Sequence, residues 1–287
     1  MRWQLGRRSD NVEDARGSGG GVGLGGLSAG GVLLAVVASY FLGIDPMQIL
    51  GIMAQLQGDL PSDSRQAQAP PADDEGADFV RAILGDTEDT WTAVFESRGG
   101  TYEPPRLVLF SGMVRSGCGG ASAASGPFYC PLDHKVYLDL SFFDEMRARL
   151  GGGGDFAQGY VISHEIGHHV QTLLGLTRDV DEARQQGVDI RGDEGLLVRQ
   201  ELQADCLAGV WANHAQTRHQ WLDAGDVEQA MSTATAIGDD RLQRQSQGTV
   251  VPDAFSHGTS KQRVRWFTRG FQSGEMDGCD TFTASPL

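Results

Sequence analysis

Apolar residues in the larger, C-terminal part of this chain recur mostly at the three- and four-residue spacing of helices, with two short exceptions. Phe79, Ile83 and Leu84, then Trp91, Val94 and Phe95, predict two helical segments separated at Gly85-Asp86. The exceptions are residues 106–110 and 135–139, short apolar runs bounded by Pro or Gly that predict strands. Residues 141–150 read as a helix capped by Ser141 and ended by the glycines at 151–154. The next helix starts with Asp155 as N-cap, runs through Phe156, Tyr160, Val161, Ile162 and Ile166 to Leu174, and stops at Gly175. Residues 177–195 have no apolar face and read as a solvated excursion, whereas 196–221 predict a second long helix. Further amphipathic helix is expected over 226–238 and 239–247. A last one, capped by Thr259 or Ser260, turns Val264, Phe267 and Phe271 inward. Many helices with few strands predict an α+β fold, with helices packed on a small mixed or antiparallel sheet holding the 106 and 136 strands.

Upstream of residue 78 the pattern changes. Residues 1–21 are charged, then glycine-rich, without periodicity, and read as a disordered cytoplasmic tail. Residues 22–44 are uncharged and long enough to cross roughly 30 Å of hydrocarbon, which predicts a transmembrane helix. Arg2, Arg7, Arg8 and Arg16 precede it. The positive-inside rule, which discounts acids, then puts the N-terminus in the cytoplasm and the rest of the chain outside, in the periplasm. A cleaved signal peptide is the competing reading, but the leader and the apolar run are long for one and no small-x-small site clearly follows. Residues 45–77 are expected to hold an amphipathic stretch and a Pro- and Asp-rich linker, so that the folded domain occupies 78–287.

Charge narrows the range of partners. The 38 acids outnumber the 23 lysines and arginines, for a formal net charge of -15, which opposes binding to nucleic acid. The four cysteines suit an oxidising compartment, although four allow three pairings. Spacing favours Cys118 with Cys130. Cys206 is then left either to Cys279 or as a buried free thiol. No C-x-x-C pair exists to hold a cysteine zinc cluster.

The chemistry concentrates in the helix expected over 155–174. His164, Glu165 and His168 form H-E-x-x-H, and residues four apart on a helix present both imidazoles to one metal ion with Glu165 beside it. Catalytic zinc takes three protein ligands and keeps one open position, so a third ligand is required. Glu201, on the second long helix, supplies it. Asp205, one turn further, is placed to hold the ring of a ligating histidine. The flanking Leu202, Ala204, Cys206 and Leu207 make this stretch too apolar for two carboxylates merely to be solvated. His169, five residues from His164, falls round the helix and reads as a packing residue.

With His164-Glu165-Ile166-Gly167-His168 followed by Glu201-Leu202-Gln203-Ala204-Asp205, the chain resembles the gluzincin metallopeptidases. Its leader, Cys118-Gly119, Gly126-Pro127-Phe128-Tyr129-Cys130-Pro131, Val136-Tyr137-Leu138-Asp139, His257-Gly258-Thr259-Ser260 and Arg263-Val264-Arg265-Trp266-Phe267 are more closely similar to the bacterial neutral zinc metallopeptidase family, over nearly the whole chain. The resemblance implies a zincin-like, membrane-anchored zinc peptidase acting on a peptide or protein substrate. One zinc per chain is expected on His164, His168 and Glu201, with Glu165 as general base and His257 or Tyr160 stabilising the oxyanion. The rival reading is a catalytically silent envelope module that binds peptides or assembles complexes. An intact Glu165 argues against it, because a binding module needs no base.

Overall fold

The structure, a computed structural model, describes residues 1–17, 68–123, 126–150 and 154–287. The apolar stretch at 22–44 and the linker expected after it therefore lie outside the described residues, apart from the linker's end from Gln68 on. Among the described residues no helix is long and apolar enough to cross a membrane.

Helices pack on a small sheet, as the α+β reading expects. The sheet holds β1 (Val12–Asp14), β2 (Arg106–Leu109), β6 (Lys135–Leu138) and β5 (Phe128–Cys130), in the spatial order β1-β2-β6-β5. β1, β2 and β6 run parallel and β5 antiparallel, so the sheet is mixed. Side chains alternate across it with the two-residue period of a strand. Leu107, Leu109, Val136 and Leu138 enter the main core, while Val108 and Tyr137 pack with Phe110 and Cys130 on the other face. Between β2 and β5 the chain forms a hairpin of β3 (Met113–Ser116) and β4 (Gly119–Ser122), tied down by the Cys118–Cys130 disulfide.

The helices are α1 (Glu75–Ser97), α2 (Ser141–Leu150), α3 (Asp155–Leu174), α4 (Arg178–Gln185), α5 (Leu196–His219), α6 (Asp226–Ala236), α7 (Asp239–Gln247) and α8 (Ser260–Ser273). α3 and α5 form the centre, with α8 packed along α5 and the Cys206–Cys279 disulfide fastening the C-terminal tail to α5. Phe156 and Phe267 are fully buried in this core, each contributing roughly 1.5–3 kcal/mol by leaving water. Thr259 caps α8 in a reciprocal capping box with Gln262, and Gly175 ends α3 in the left-handed region.

Four expectations need correction. α1 is one continuous helix rather than two. Gly85 does not break it but makes room for the N-terminal segment, since a Cβ there would lie 2.7 Å from the Arg7 carbonyl oxygen. Asp155 is the first residue of α3, following Gly154 at the N-cap, and its carboxylate accepts the Trp3 indole N–H at 2.9 Å. Residues 177–195 are not wholly solvated, because they contain α4 and bury Val180 and Ile190. Residues 1–17, expected to be disordered, are built into the fold. Trp3 and Val12 are buried, and β1 pairs with β2, so the folded unit begins well before residue 78. Absence of helical or strand periodicity misled here, because this segment is held by side-chain ties to distant residues rather than by a pattern of its own.

Candidate metal centre and its cleft

α3 carries His164, Glu165 and His168 on a buried face, and α5 crosses it closely enough to bring Glu201 opposite them. Gly167 permits that approach: a Cβ there would come within 3.0 Å of the Ala204 carbonyl oxygen and 3.1 Å of its Cα. The result is convergence of three donors. His164 Nε2 lies 3.1 Å and His168 Nε2 3.5 Å from Glu201 Oε2, and one donor atom from each residue falls within 4.8 Å of the others. Tetrahedral zinc with ligands at about 2.0–2.1 Å needs donor atoms about 3.4 Å apart, so modest closure of this set would hold the ion. His164, His168 and Glu201 therefore fit zinc in chemistry and in spacing.

The other ring nitrogens are held. His164 Nδ1 meets Asp205 Oδ1 at 2.9 Å and His168 Nδ1 meets Gln171 Oε1 at 2.9 Å, so both imidazoles donate from Nδ1 and keep Nε2 free to ligate. Asp205 is fully buried and accepts Arg263 Nε at 2.9 Å, Arg263 Nη2 at 3.0 Å and the Tyr160 hydroxyl at 2.5 Å. Gln171 donates in turn to the Gln200 carbonyl at 2.8 Å and to Gln203 Oε1 at 3.0 Å. Asp205 was legible from its place one turn after Glu201. Arg263 and Gln171 were not assigned roles, although a buried acid requires a cation and Gln171 lies one turn from His168 on the same helix face.

Electrostatics favour a cation among these groups. Burial alone would lower the His164 imidazole, but the Asp205 and Glu201 carboxylates outweigh it and push it up to about 10. Burial would likewise raise Asp205, yet Arg263 and His164 hold it at about 2. Glu201 sits well below the usual carboxylate range, burial being overcome by His168 and His164. Glu165 goes the other way: burial raises it more than the two histidines lower it. The Tyr129 backbone of the edge strand β5 also lowers it, and Tyr129 and Glu165 line the same cleft.

These residues floor a cleft of about 530 Å³, flanked by Phe128, Tyr129 and Phe142 and by Asp181, Arg184 and Leu242. His257 lines it from the loop before α8, half-exposed, with Nδ1 2.9 Å from Ser256 Oγ and 3.5 Å from Asp239 Oδ1. Asp239 raises the His257 imidazole and also fixes its backbone, accepting the N–H groups of Ser256, His257 and Gly258 at 2.7, 2.6 and 3.0 Å. Asp239 gave no local signal in the sequence. Tyr160 is differently placed from its expected role: its hydroxyl is buried, donates to Asp205 and accepts from Arg263 Nη2 at 3.2 Å, so its proton faces away from any oxyanion. His169 is a packing residue, its ring nitrogens meeting the Glu103 carbonyl at 2.7 Å and the Tyr129 hydroxyl at 3.1 Å.

A helix-borne H-E-x-x-H completed by a glutamate from a second helix, on a mixed α+β scaffold, fits a zincin-like metallopeptidase domain. The chain belongs to the family described as "Putative neutral zinc metallopeptidase", which it matches over residues 1–282. It is 50% identical over 294 residues to the protein YpfJ of Escherichia coli (strain K12), covering 99% of this chain and 100% of the relative. It is 42% identical over 266 residues to Rv2575 of Mycobacterium tuberculosis (strain ATCC 25618 / H37Rv), covering 87% and 86%. Both relatives carry the description "uncharacterized". No solved structure matches the chain.

Proposed function

We propose that this protein is a zinc-dependent endopeptidase attached to a membrane, with its catalytic domain outside the cytoplasm. The observation that carries the reading is the convergence of His164, His168 and Glu201 donor atoms within 4.8 Å at the floor of an open cleft, with Glu165 beside them. Zinc bound there would supply Lewis acidity, polarising a scissile carbonyl and acidifying a water. Glu165 takes the proton from that water and returns it to the leaving amine. His257, held by Asp239, donates to the carbonyl oxygen as negative charge develops on it. Asp205 and Gln171 keep the two imidazoles turned so that Nε2 faces the metal position. β5, an edge strand that lines the cleft with Glu165, offers backbone hydrogen bonds to an extended peptide. The two disulfides support an oxidising compartment.

The test is Glu165→Gln in the full chain, assayed at neutral pH on a diverse quenched-peptide library with metal measured on the same samples. Turnover should fall by about 10²-fold to 10⁴-fold, with zinc content retained. A zinc-loaded wild type that cleaves nothing, yet binds the same peptides as the variant, would replace this reading with the binding module.

A further inference from the structure

The N-terminal segment is fastened along its whole described length. The Trp3 indole donates to Asp155 and its ring meets Phe79 edge-on, with centroids 5.3 Å apart. Arg8 makes a two-pronged bond to Asp78, 2.7 Å at each contact, and Arg7 reaches Glu88 at 2.7 Å and Asp89 at 2.9 Å. Arg16 bridges Asp14 and Asp74, each at 2.6 Å. β1 then runs parallel to β2 in register, Val12 opposite Leu107 and Asp14 opposite Leu109. The chain re-enters the described structure at Gln68, whose carbonyl accepts the Asp14 N–H at 2.8 Å.

We infer that residues 1–17 and 68–287, docked on one another, lie on the same side of the membrane to which the chain is attached. Paired strands stand about 4.8 Å apart, whereas a single crossing between Gly17 and Gln68 would part β1 from β2 by roughly 30 Å of hydrocarbon. The arginines that suggested a cytoplasmic N-terminus are the ones that tie it down: Arg7, Arg8 and Arg16 as above, and Arg2 at 3.4 Å from Asp223. Their charge is neutralised by carboxylates of the fold and is not left over to hold the leader in the cytoplasm. This inference rests on the proposed membrane attachment together with the docked N-terminal segment, and is independent of catalysis.

All four cysteines are in disulfides, so a single introduced cysteine gives a clean thiol readout. Asp10→Cys reports on the N-terminal segment, the Asp10 side chain being 98% exposed, and Asp253→Cys on the exposed loop after α7. Each full-length variant would be treated in intact cells with a membrane-impermeant maleimide, before and after permeabilisation, and its membrane fraction washed with alkaline carbonate. The two positions should label together, both before permeabilisation or both only after it, and the protein should stay in the washed membranes. Labelling of one position before permeabilisation and of the other only after it overturns the shared side. Release by carbonate overturns the membrane attachment itself, as distinct from the shared side.

Discussion

Two buried aspartates, Asp86 on α1 and Asp205 on α5, have nearly the same partners and different surroundings. Asp205 accepts Arg263 Nε at 2.9 Å, His164 Nδ1 at 2.9 Å and the Tyr160 hydroxyl at 2.5 Å. Asp86 accepts Arg218 Nη1 at 2.7 Å and the Trp211 indole at 2.9 Å, with His219 Nε2 at 3.1 Å. An arginine, a histidine and an aromatic donor surround each. At Asp205, however, the histidine turns its second nitrogen toward Glu201 and shares that carboxylate with His168 in an open cleft. At Asp86 the histidine ring stacks on Trp221, at 4.9 Å and 18°, and among the described residues no other histidine or carboxylate joins it in a metal-sized cluster. A buried, paired charge thus holds helices together in either place. What distinguishes the candidate metal centre is a converging donor set left open to an ion and to solvent.

The sharpest way to break this comparison is Asp86→Ala. Removing one partner of a buried charge network leaves the other uncompensated, so unfolding in denaturant should show a loss of about 3–5 kcal/mol while the folded variant keeps its full zinc content. Loss of zinc from folded Asp86→Ala protein would mean that the two networks are not separate. Asp205→Asn should do the converse, weakening zinc binding by about 10-fold to 100-fold through a loosened His164, as read by competition with a chelator. An unchanged affinity would show that His164 is oriented by something else.

Gly167→Ala probes the helix crossing on which the centre depends. The added methyl would press on Ala204 and should cost about 1 kcal/mol, the low end of overpacking, with a modest fall in zinc affinity because Glu201 is displaced. Equal or greater stability in that variant would remove the close approach as the cause of the geometry.

The smallest expected effect concerns pH and the N-terminal segment, which is held by exposed or half-buried pairs rather than buried ones. The Arg8 guanidinium holds the Asp78 carboxyl below its ordinary value of 3.8, and at Asp74 burial is outweighed by the Ala77 N–H and the Arg16 guanidinium to the same effect. Carboxyls with lowered values bind fewer protons when docked than when free. Their contribution is therefore intact above about pH 4 and is lost as pH falls through the lowered values. Hydrogen exchange of residues 1–17 should quicken, relative to the intrinsic rate, as pH drops below that point while the α3 amides stay protected. Protection that weakens instead as pH rises from 4 to 7 would rule out these pairs as the fastening.

Much of the candidate metal centre was legible in the sequence because helical geometry is local. Residues four apart must share a face, so His164 with His168 and Glu201 with Asp205 could be read as pairs before any tertiary contact was known. The same periodicity located α3, α5 and α8, and the apolar setting of Asp205 demanded a partner without naming it. Tertiary structure alone decided that the partner is Arg263, 58 residues away along the chain, and that Asp239 holds the His257 loop. It also engaged the Tyr160 hydroxyl with Asp205 and Arg263 and revealed Gly85 as a seat for Arg7 rather than a helix break. The N-terminal arginines show the limit most clearly. Their charge is written in the sequence, but whether it faces a membrane or the carboxylates of Asp78, Glu88 and Asp74 depends on contacts between residues far apart along the chain, and no local pattern encodes those.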